Sequence, residues 1–194
     1  MSEFVHLHVH TSYSLLDGLS TVSGLIKKAV ADGMPALAMT DHGNMFGIKA
    51  FFNDCKKHNG KVKDDIKAAQ AALADAENAG DDAAVAEAKA AVEAAKKKYL
   101  KPIIGCEMYV ANNDLHDRGD KHDGGRHLVV LAKNRTGYKN LIKLVSQAWT
   151  EGFYKHPRTD KKQLAAHRDG LIICSACLGG EIPRLLQAGD QEGA

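Results

Sequence analysis

Short apolar runs alternate with amphipathic stretches along most of the chain. Five apolar runs are predicted to be strands, at 4–9, 34–43, 101–110, 127–133 and 170–176. Four amphipathic stretches are predicted to be helices, at 20–33, 48–60, 136–152 and 179–189. This alternation is typical of βαβ units, so the sequence predicts an α/β domain with a parallel sheet or barrel.

The first predicted helix carries clear signals at both ends. Ser20 or Thr21 can cap its amino end with a side-chain oxygen, and Gly33 follows the last residue of the apolar pattern. Both signals agree with the hydrophobic spacing between them, so the sequence predicts a helix over 20–33.

An alanine-rich segment at 62–99, with 15 alanines in 38 residues, differs from the rest of the chain. It reads as two helices broken at Gly80, with Asp81 or Asp82 capping the second. The larger apolar residues, three and four apart, are Ile66, Ala69, Leu73, Ala76, Val85, Ala88, Val92, Ala95 and Tyr99. This spacing predicts a narrow coiled-coil seam and an antiparallel helical hairpin, with a solvated arm as the alternative. No chemistry is assigned to it.

Histidines are concentrated near the amino terminus, in HLHVH. His6, His8 and His10 alternate with apolar residues, so an extended strand would present all three on one face. Neutral imidazole is a common metal ligand in proteins. A single histidine is more often packed or solvated, but this grouping favours a metal site.

Further donor residues occur near the ends of the predicted strands, where α/β barrels place their chemistry. With the histidine strand they form a set from five segments: His8, His10, Asp17, His42, Glu107, His127 and Cys177. Glu107 lies between apolar residues, and a buried carboxylate needs a partner such as a metal. His127 departs from the pattern because it begins its strand rather than ending it.

Several of these residues have simpler interpretations. Asp17 before Gly18 is equally typical of a turn, and His42 also fits a turn or a cap. Cys177 forms a C-x-x-C pair with Cys174, which also fits a redox pair or half a zinc ribbon, but no second pair completes a ribbon. The other histidines, at 58, 116, 122, 156 and 167, lie in hydrophilic stretches typical of the surface. The nucleophile-elbow, P-loop and dinucleotide-binding motifs are missing from the sequence, which also favours metal chemistry.

Composition narrows the class of protein. The 194 residues suit one domain, with 44% hydrophobic and 26% charged residues, and the net charge of +2 is too small to indicate a nucleic-acid partner. Four cysteines do not make a disulfide framework. No apolar run reaches the roughly 18 residues of a membrane span, and the amino terminus lacks a signal-peptide pattern. A cytoplasmic location with no membrane partner is therefore expected.

Five stretches of the sequence resemble a known family: HLHVHTSYSLLDG, ALAMTDHGNMFG, KPIIGCEMYV, HLVVLAKN and CLGGEIP. They are similar to the PHP (polymerase and histidinol phosphatase) domain at the amino terminus of bacterial replicative DNA polymerase III alpha subunits. NRTGYKNL and EGFYKHPR resemble the polymerase branch rather than the stand-alone phosphatases. The resemblance covers nearly the whole chain apart from 62–99, which looks like an insertion.

The resemblance implies a distorted (β/α)7-type barrel with up to three divalent metals, and 1–194 would be one partial domain. It carries the ligand role onto His8, His10, Asp17, His42, Glu107, His127 and Cys177, and leaves His6 out. The family's last two ligands, an aspartate and a histidine, have no counterpart before Ala194, which implies a C-terminally truncated domain with an incomplete cluster. Mixed imidazole, carboxylate and thiolate donors suit zinc, manganese or iron.

The implied activity is metal-dependent phosphodiester hydrolysis, consistent with 3′–5′ proofreading exonuclease in a replicative DNA polymerase. The implied partners are DNA, through the primer 3′ end, and the other replicative polymerase subunits. Lys155 and Arg158 are candidate phosphate contacts, with a solvated loop as the alternative. Two other functions stay open: a metal-stabilised scaffold of the polymerase without activity, and a stand-alone phosphatase of small phosphomonoesters.

Overall fold

The computed structural model describes residues 4–15 and 17–194, which form a mixed α/β structure. The elements are α1 (Val22–Ala31), β1 (Ala36–Met39), α2 (Ile48–Ala79), α3 (Asp82–Lys96), β2 (Lys101–Val110), β3 (Arg126–Ala132), α4 (Arg135–Thr150), β4 (Phe153–Tyr154), β5 (His156–Thr159), α5 (Lys161–Ala166), β6 (Leu171–Cys174) and α6 (Glu181–Gln187). The described residues form two compact units. One is drawn from 4–6, 21–37 and 49–102, and the other from 7–15, 17–20, 38–48 and 103–194. None of the helices in the described ranges is both long and apolar enough to span a bilayer.

In the first unit, α1 has the ends that the sequence predicts. Thr21 caps it, because its hydroxyl accepts a hydrogen bond from the Gly24 N–H at 3.2 Å. Gly33 follows the helix with φ +71°, a left-handed conformation that glycine adopts without a Cβ penalty.

The helix α2 is longer than predicted. It continues through Gly60 to Ala79, so the predicted end near Gly60 is wrong. A glycine costs a helix only about 1 kcal/mol, and Val62, 2% exposed, extends the buried face beyond it. Asn59 does not end the helix either, because its side chain bonds to the backbone N–H and carbonyl of Leu100.

Gly80 and Asp81 separate α2 from α3. Gly80 has φ +68°, and the Asp81 carboxylate accepts hydrogen bonds from two N–H groups of the first turn of α3. The predicted seam positions Ile66, Ala69, Leu73, Ala76, Val85 and Ala88 are partly shielded from solvent, and Val92 and Ala95 are buried. Tyr99, the last of them, is 42% exposed.

The predicted strand at 4–9 is not formed as a strand. The Thr40 N–H donates to the Val9 carbonyl at 2.9 Å, but the Val9 N–H donates to the Thr40 hydroxyl at 2.7 Å. The side chain thus replaces the backbone acceptor, and no ladder propagates through this extended segment. The segment still lies beside the end of β1.

The sheet is mixed rather than parallel. Its strand order is β4-β5-β2-β3-β6, and β1 also pairs with β2. The pairs β2–β3, β3–β6 and β4–β5 are antiparallel, and β2–β5 is parallel. The expected parallel arrangement fails because the connection 111–125 holds no helix, so β3 returns beside β2 in the opposite direction. The strand path runs from β4 to β6 without closing into a ring.

The core of the second unit lies between the sheet and α4. Cys106 and Met108 of β2 pack with Leu141 and Leu144 of α4 in one fully buried cluster. Side chains alternate between the faces of a strand, so Glu107 points to the opposite face. The packing of α4 therefore fixes where that carboxylate lies.

Candidate metal centre

The centre of the site is the buried side chain of Glu107, which is 1% exposed. Its Oε2 lies 2.7 Å from Nε2 of His8, 2.7 Å from Nε2 of His10 and 3.4 Å from Nε2 of His42. The segment before α1 supplies the first two imidazoles, and the turn after β1 supplies the third. Three ring nitrogens therefore converge on one carboxylate oxygen.

The other carboxylate oxygen of Glu107 faces His127 and Cys177. Oε1 lies 3.0 Å from Nδ1 of His127 and 3.6 Å from Sγ of Cys177, and those two donor atoms are 3.3 Å apart. The antiparallel register sets Tyr109, near the end of β2, opposite His127 at the start of β3. This register explains why His127, although it begins its strand, lies beside donors that come at or after the ends of their own strands.

Gly179 leaves the space that His127 occupies. A Cβ at this glycine would lie 2.7 Å from His127 Nδ1. The carbonyl of Gly179 accepts a hydrogen bond from the His127 backbone N–H at 3.0 Å. The Gly179 N–H in turn bonds to the sulfur of Cys177 at 3.4 Å. The loop after β6 thus places the thiol and makes room for the imidazole.

Asp17 lies at the solvent side of the cluster. Its Oδ2 is 3.7 Å from Nε2 of His42, and its side chain is 57% exposed. The structure therefore brings all seven predicted donors into one region of the second unit, with Asp17 at the edge.

Asp41 holds the loop that carries His10 and Asp17, a role that the sequence analysis did not assign. Its buried carboxylate accepts hydrogen bonds from the Thr11 N–H at 2.6 Å, the Thr11 hydroxyl at 2.9 Å and the Ser14 hydroxyl at 2.6 Å. The only sequence signal was its position directly before His42. Asp41 is a positioning residue.

The surroundings favour an ionised carboxylate at the centre. Burial by itself raises the pKa of Glu107, but hydrogen bonds from His10, His127 and His8 hold that pKa well below its usual range. The hydrogen bond to Glu107 raises the pKa of His10, against the effect of burial. Burial lowers the pKa of His42, which favours a neutral imidazole there. An anionic carboxylate beside a neutral imidazole is competent to bind a metal.

The donor atoms fit divalent metal ions. Two triads, His8–His10–Glu107 and His42–Glu107–His127, each have ligand atoms within 4.8 Å of one another. The Nε2 atoms of His8 and His10 approach to 3.0 Å, so they point at a common position. Nδ1 of His42 is buried with no hydrogen-bond partner in the described structure. The cluster therefore offers the nitrogen and oxygen donors that a divalent metal ion needs.

Arg158, a predicted phosphate contact, is instead fully buried. Its Nη1 donates to Asp123 Oδ2 at 3.0 Å and its Nη2 to the Asp117 carbonyl at 2.6 Å. The prediction fails for this arginine because the guanidinium is used inside the protein. Lys155 is exposed, with φ +62°, and its ammonium donates to the Lys121 carbonyl.

An aromatic stack adjoins the cluster and was not predicted. The Tyr109 ring stacks on His42 at 5.6 Å and on His156 at 4.4 Å, and burial raises its pKa to about 12. The sequence signal was the alternation that sets Tyr109 on the same face of β2 as Glu107. His156, interpreted as a surface histidine, packs against this ring with an exposed side.

The sequence matches the PHP domain family over residues 6–69 and 59–194. It is 42% identical over 188 residues to the DNA polymerase III subunit alpha of Treponema pallidum, covering 96% of this chain and 13% of that protein. It is 41% identical over 189 residues to the DNA polymerase III subunit alpha of Thermus aquaticus, covering 95% of this chain and 12% of that protein. The DNA polymerase III subunit alpha of Borreliella burgdorferi is 40% identical over 195 residues, and the match covers 100% of this chain and 14% of that protein.

The chain thus spans about an eighth of the length of these curated relatives. The family match, by contrast, extends over nearly all of its own length, including every residue of the cluster around Glu107. On that match, the chain belongs to the PHP domain family.

Proposed function

We propose that this chain is the PHP domain of a bacterial replicative DNA polymerase III alpha subunit, and that its metal centre hydrolyses phosphodiester bonds at the 3′ end of DNA. The observation that carries the proposal is the convergence of five imidazole and thiol side chains, from distant segments, on the buried carboxylate of Glu107. The names of the relatives support the replicative setting. The proposal includes the distorted barrel of that family, of which the observed sheet would form part.

The two oxygens of Glu107 divide the ligands into two groups. His8 and His10 face Oε2, while His127 and Cys177 face Oε1, and all four side chains would hold metal ions together with Glu107. His42 and the exposed Asp17 would complete the set. When bound, divalent ions supply a water of lowered pKa and neutralise charge on the phosphate oxygens.

The protein's own contribution is to hold these donors in place before the substrate arrives. Glu107 is fixed on a strand whose opposite face is packed in the core, and it stays ionised. Asp41 fixes the loop from Thr11 to Asp17 through its hydrogen bonds. Donors supported in this way lose little entropy on binding a metal.

The first test is the metal content of the purified chain, with thermal melts before and after chelation. Two or more ions per chain and a lower melting temperature after chelation are expected. A ligand at about 100 times its Kd stabilises the folded state by about 2.7 kcal/mol. A chain that binds no metal, and melts alike in both conditions, contradicts the proposed centre.

The second test compares Glu107→Gln with Glu87→Gln in the full-length alpha subunit. Glu87 is an exposed residue of α3 and serves as the matched control. Glu107→Gln should abolish release of nucleotides from a 3′-labelled oligonucleotide, and Glu87→Gln should leave it unchanged. Circular dichroism would verify that both variants fold.

Two other outcomes favour the alternative functions. Loss of metal from Glu107→Gln with unchanged nuclease activity and impaired assembly with other polymerase subunits would favour the metal-stabilised scaffold. Turnover of p-nitrophenyl phosphate by the wild type, but never of DNA ends, would favour the stand-alone phosphatase. Either result would overturn the proposed nuclease.

A further inference from the structure

A cavity of about 360 Å³ adjoins the metal centre within the second unit. Its wall includes His127, one of the donors around Glu107, and Tyr109 from the aromatic stack. This volume is within the range of pockets that bind small molecules. A ligand in the cavity would therefore lie directly beside the proposed metals.

Two arginines line this cavity, Arg126 at the start of β3 and Arg184 on α6. In the described parts of the chain, neither guanidinium has a carboxylate oxygen within 4.0 Å, whereas the buried Arg158 is paired with Asp123. Two carboxylates, Asp120 and Asp123, also line the cavity. Asp123 is paired with Arg158, and Asp120 Oδ1 accepts the His122 N–H at 2.8 Å. Guanidinium groups without carboxylate partners favour an anion, and their planar fork matches phosphate oxygens.

The cavity also offers a flat aromatic surface. His156 lines it and stacks on Tyr109 with an angle of only 14° between the rings. His156 is exposed, so its outer face is open to a planar ligand. Planar side chains in such positions commonly stack nucleic-acid bases.

Bare backbone forms another part of the wall, at Gly124 and Gly125. A Cβ at Gly125 would lie 2.7 Å from the Cβ of Tyr109, and this glycine has φ +89°. Glycine here keeps the chain close to the tyrosine without filling the cavity. The cavity thus combines cations, an aromatic face and backbone in one place.

We infer that this cavity binds a nucleoside 5′-phosphate unit, with Arg126 and Arg184 contacting the phosphate and His156 stacking on the base. The unit is either the terminal nucleotide of a DNA strand or the free mononucleotide product. The inference rests on the proposed function, because hydrolysis beside His127 needs the substrate's last nucleotide to be held at this point. It adds a substrate-binding role for residues that contribute no metal ligand.

The test measures binding of thymidine 5′-monophosphate, thymidine and a short oligothymidylate to the 194-residue chain by calorimetry, with and without Mn²⁺. Thymidine 5′-monophosphate should bind in at least one condition, and thymidine should bind at least about tenfold more weakly, since it lacks the charge-assisted contacts. Tighter binding of the oligothymidylate would identify a strand terminus as the ligand, and tighter binding of the mononucleotide would identify the product.

Arg126→Gln and Arg184→Gln should each weaken the mononucleotide about tenfold, the effect of losing one charge-assisted hydrogen bond. The matched control is Arg168→Gln, which removes an exposed arginine outside the cavity and should change affinity less than about twofold. His156→Ala should weaken binding about fivefold through lost stacking. Thermal melts would verify that each variant folds.

The inference is overturned if thymidine binds as well as its phosphate, if neither arginine substitution differs from Arg168→Gln, or if the mononucleotide binds in neither condition. Metal content is measured on the same samples. A chain that binds metals but no mononucleotide refutes the cavity and leaves the proposed centre intact. A chain that binds the mononucleotide through its arginines but no metal refutes the centre alone.

Discussion

Removal of the Arg158 guanidinium should lower the free energy of unfolding by more than any substitution of a surface charge does. Arg158 is fully buried and pairs with Asp123, which is 5% exposed, and it also donates to the Asp117 carbonyl. Asp123 in turn accepts the backbone N–H groups of Asn112 and Gly125, each at 3.0 Å. One ion pair therefore holds both ends of the helix-free connection between β2 and β3.

The expected loss follows from the groups left without partners. Removing one member of a buried ion pair costs about 3–5 kcal/mol. Asp123 keeps its two backbone donors, so Arg158→Met is expected near the lower end, at about 3 kcal/mol. For a chain of this length, that loss lowers the melting temperature by roughly 6–12 °C. Arg158→Lys keeps the charge but not the fork, and should lose only about 1–2 kcal/mol.

The assay is urea unfolding of Arg158→Met, Asp123→Asn and the double variant, followed by circular dichroism. The two residues are in contact, so the double variant should be more stable than the sum of the single losses predicts, by about 1 kcal/mol or more. Additive losses within about 0.5 kcal/mol would refute the reasoning, since they would mean that the pair is not coupled. A melting temperature for Arg158→Met equal to the wild type would refute it as well.

Three further predictions concern the cysteines, the pH dependence and one glycine. At about pH 8, iodoacetamide should alkylate the exposed Cys177 and spare Cys55, because burial raises the pKa of Cys55 to about 12. Zn²⁺ should protect Cys177 from alkylation. Peptide mass spectrometry would measure both effects. The carboxylate beside His10 raises the pKa of that imidazole, so protons compete with the metal, and metal affinity measured by calorimetry should increase from about pH 6 to about pH 8. Gly125→Ala should lower the free energy of unfolding in urea by about 2–4 kcal/mol, because of its φ of +89° and the 2.7 Å approach to Tyr109.

Each of these predictions has a clear contrary result. Alkylation of Cys177 at the same rate with and without Zn²⁺ would exclude it as a ligand. Metal affinity that is constant over that pH range would exclude an imidazole that must lose its proton. The control for the glycine is Gly33→Ala, at φ +71° with no atom within 4 Å of the added Cβ, which should cost only about 1 kcal/mol. Equal losses for the two glycines would show that the Tyr109 contact has no effect.

Local signals were enough to place most of the elements. The ends of α1 follow from Thr21 and Gly33, and the apolar run at 101–110 coincides with β2. Glu107 could be singled out because a charged residue within such a run needs a partner. These inferences depend only on residues that are close together in the sequence, so the sequence alone is enough to make them.

Features that depend on pairing between distant segments could not be predicted. The direction of β3 is set by its ladder with β2, and this direction brings His127 to the cluster. Arg158 looked like a surface cation because nothing nearby in sequence reveals that Asp123 encloses it. The short strands β4 and β5 have too few apolar residues to show the period of a strand.

The separation of the donors along the chain has a consequence for the order of events during folding. His8 and Glu107 are 99 residues apart, and Cys177 follows Glu107 by 70. Contacts of such long range form late and slow the search for the native state. Of the seven donors, only His8 and His10 are near neighbours in an unfolded chain, so it binds a metal more weakly than the folded domain does. Metal ions should therefore leave the folding rate nearly unchanged and slow unfolding instead, because they bind only after the domain has formed.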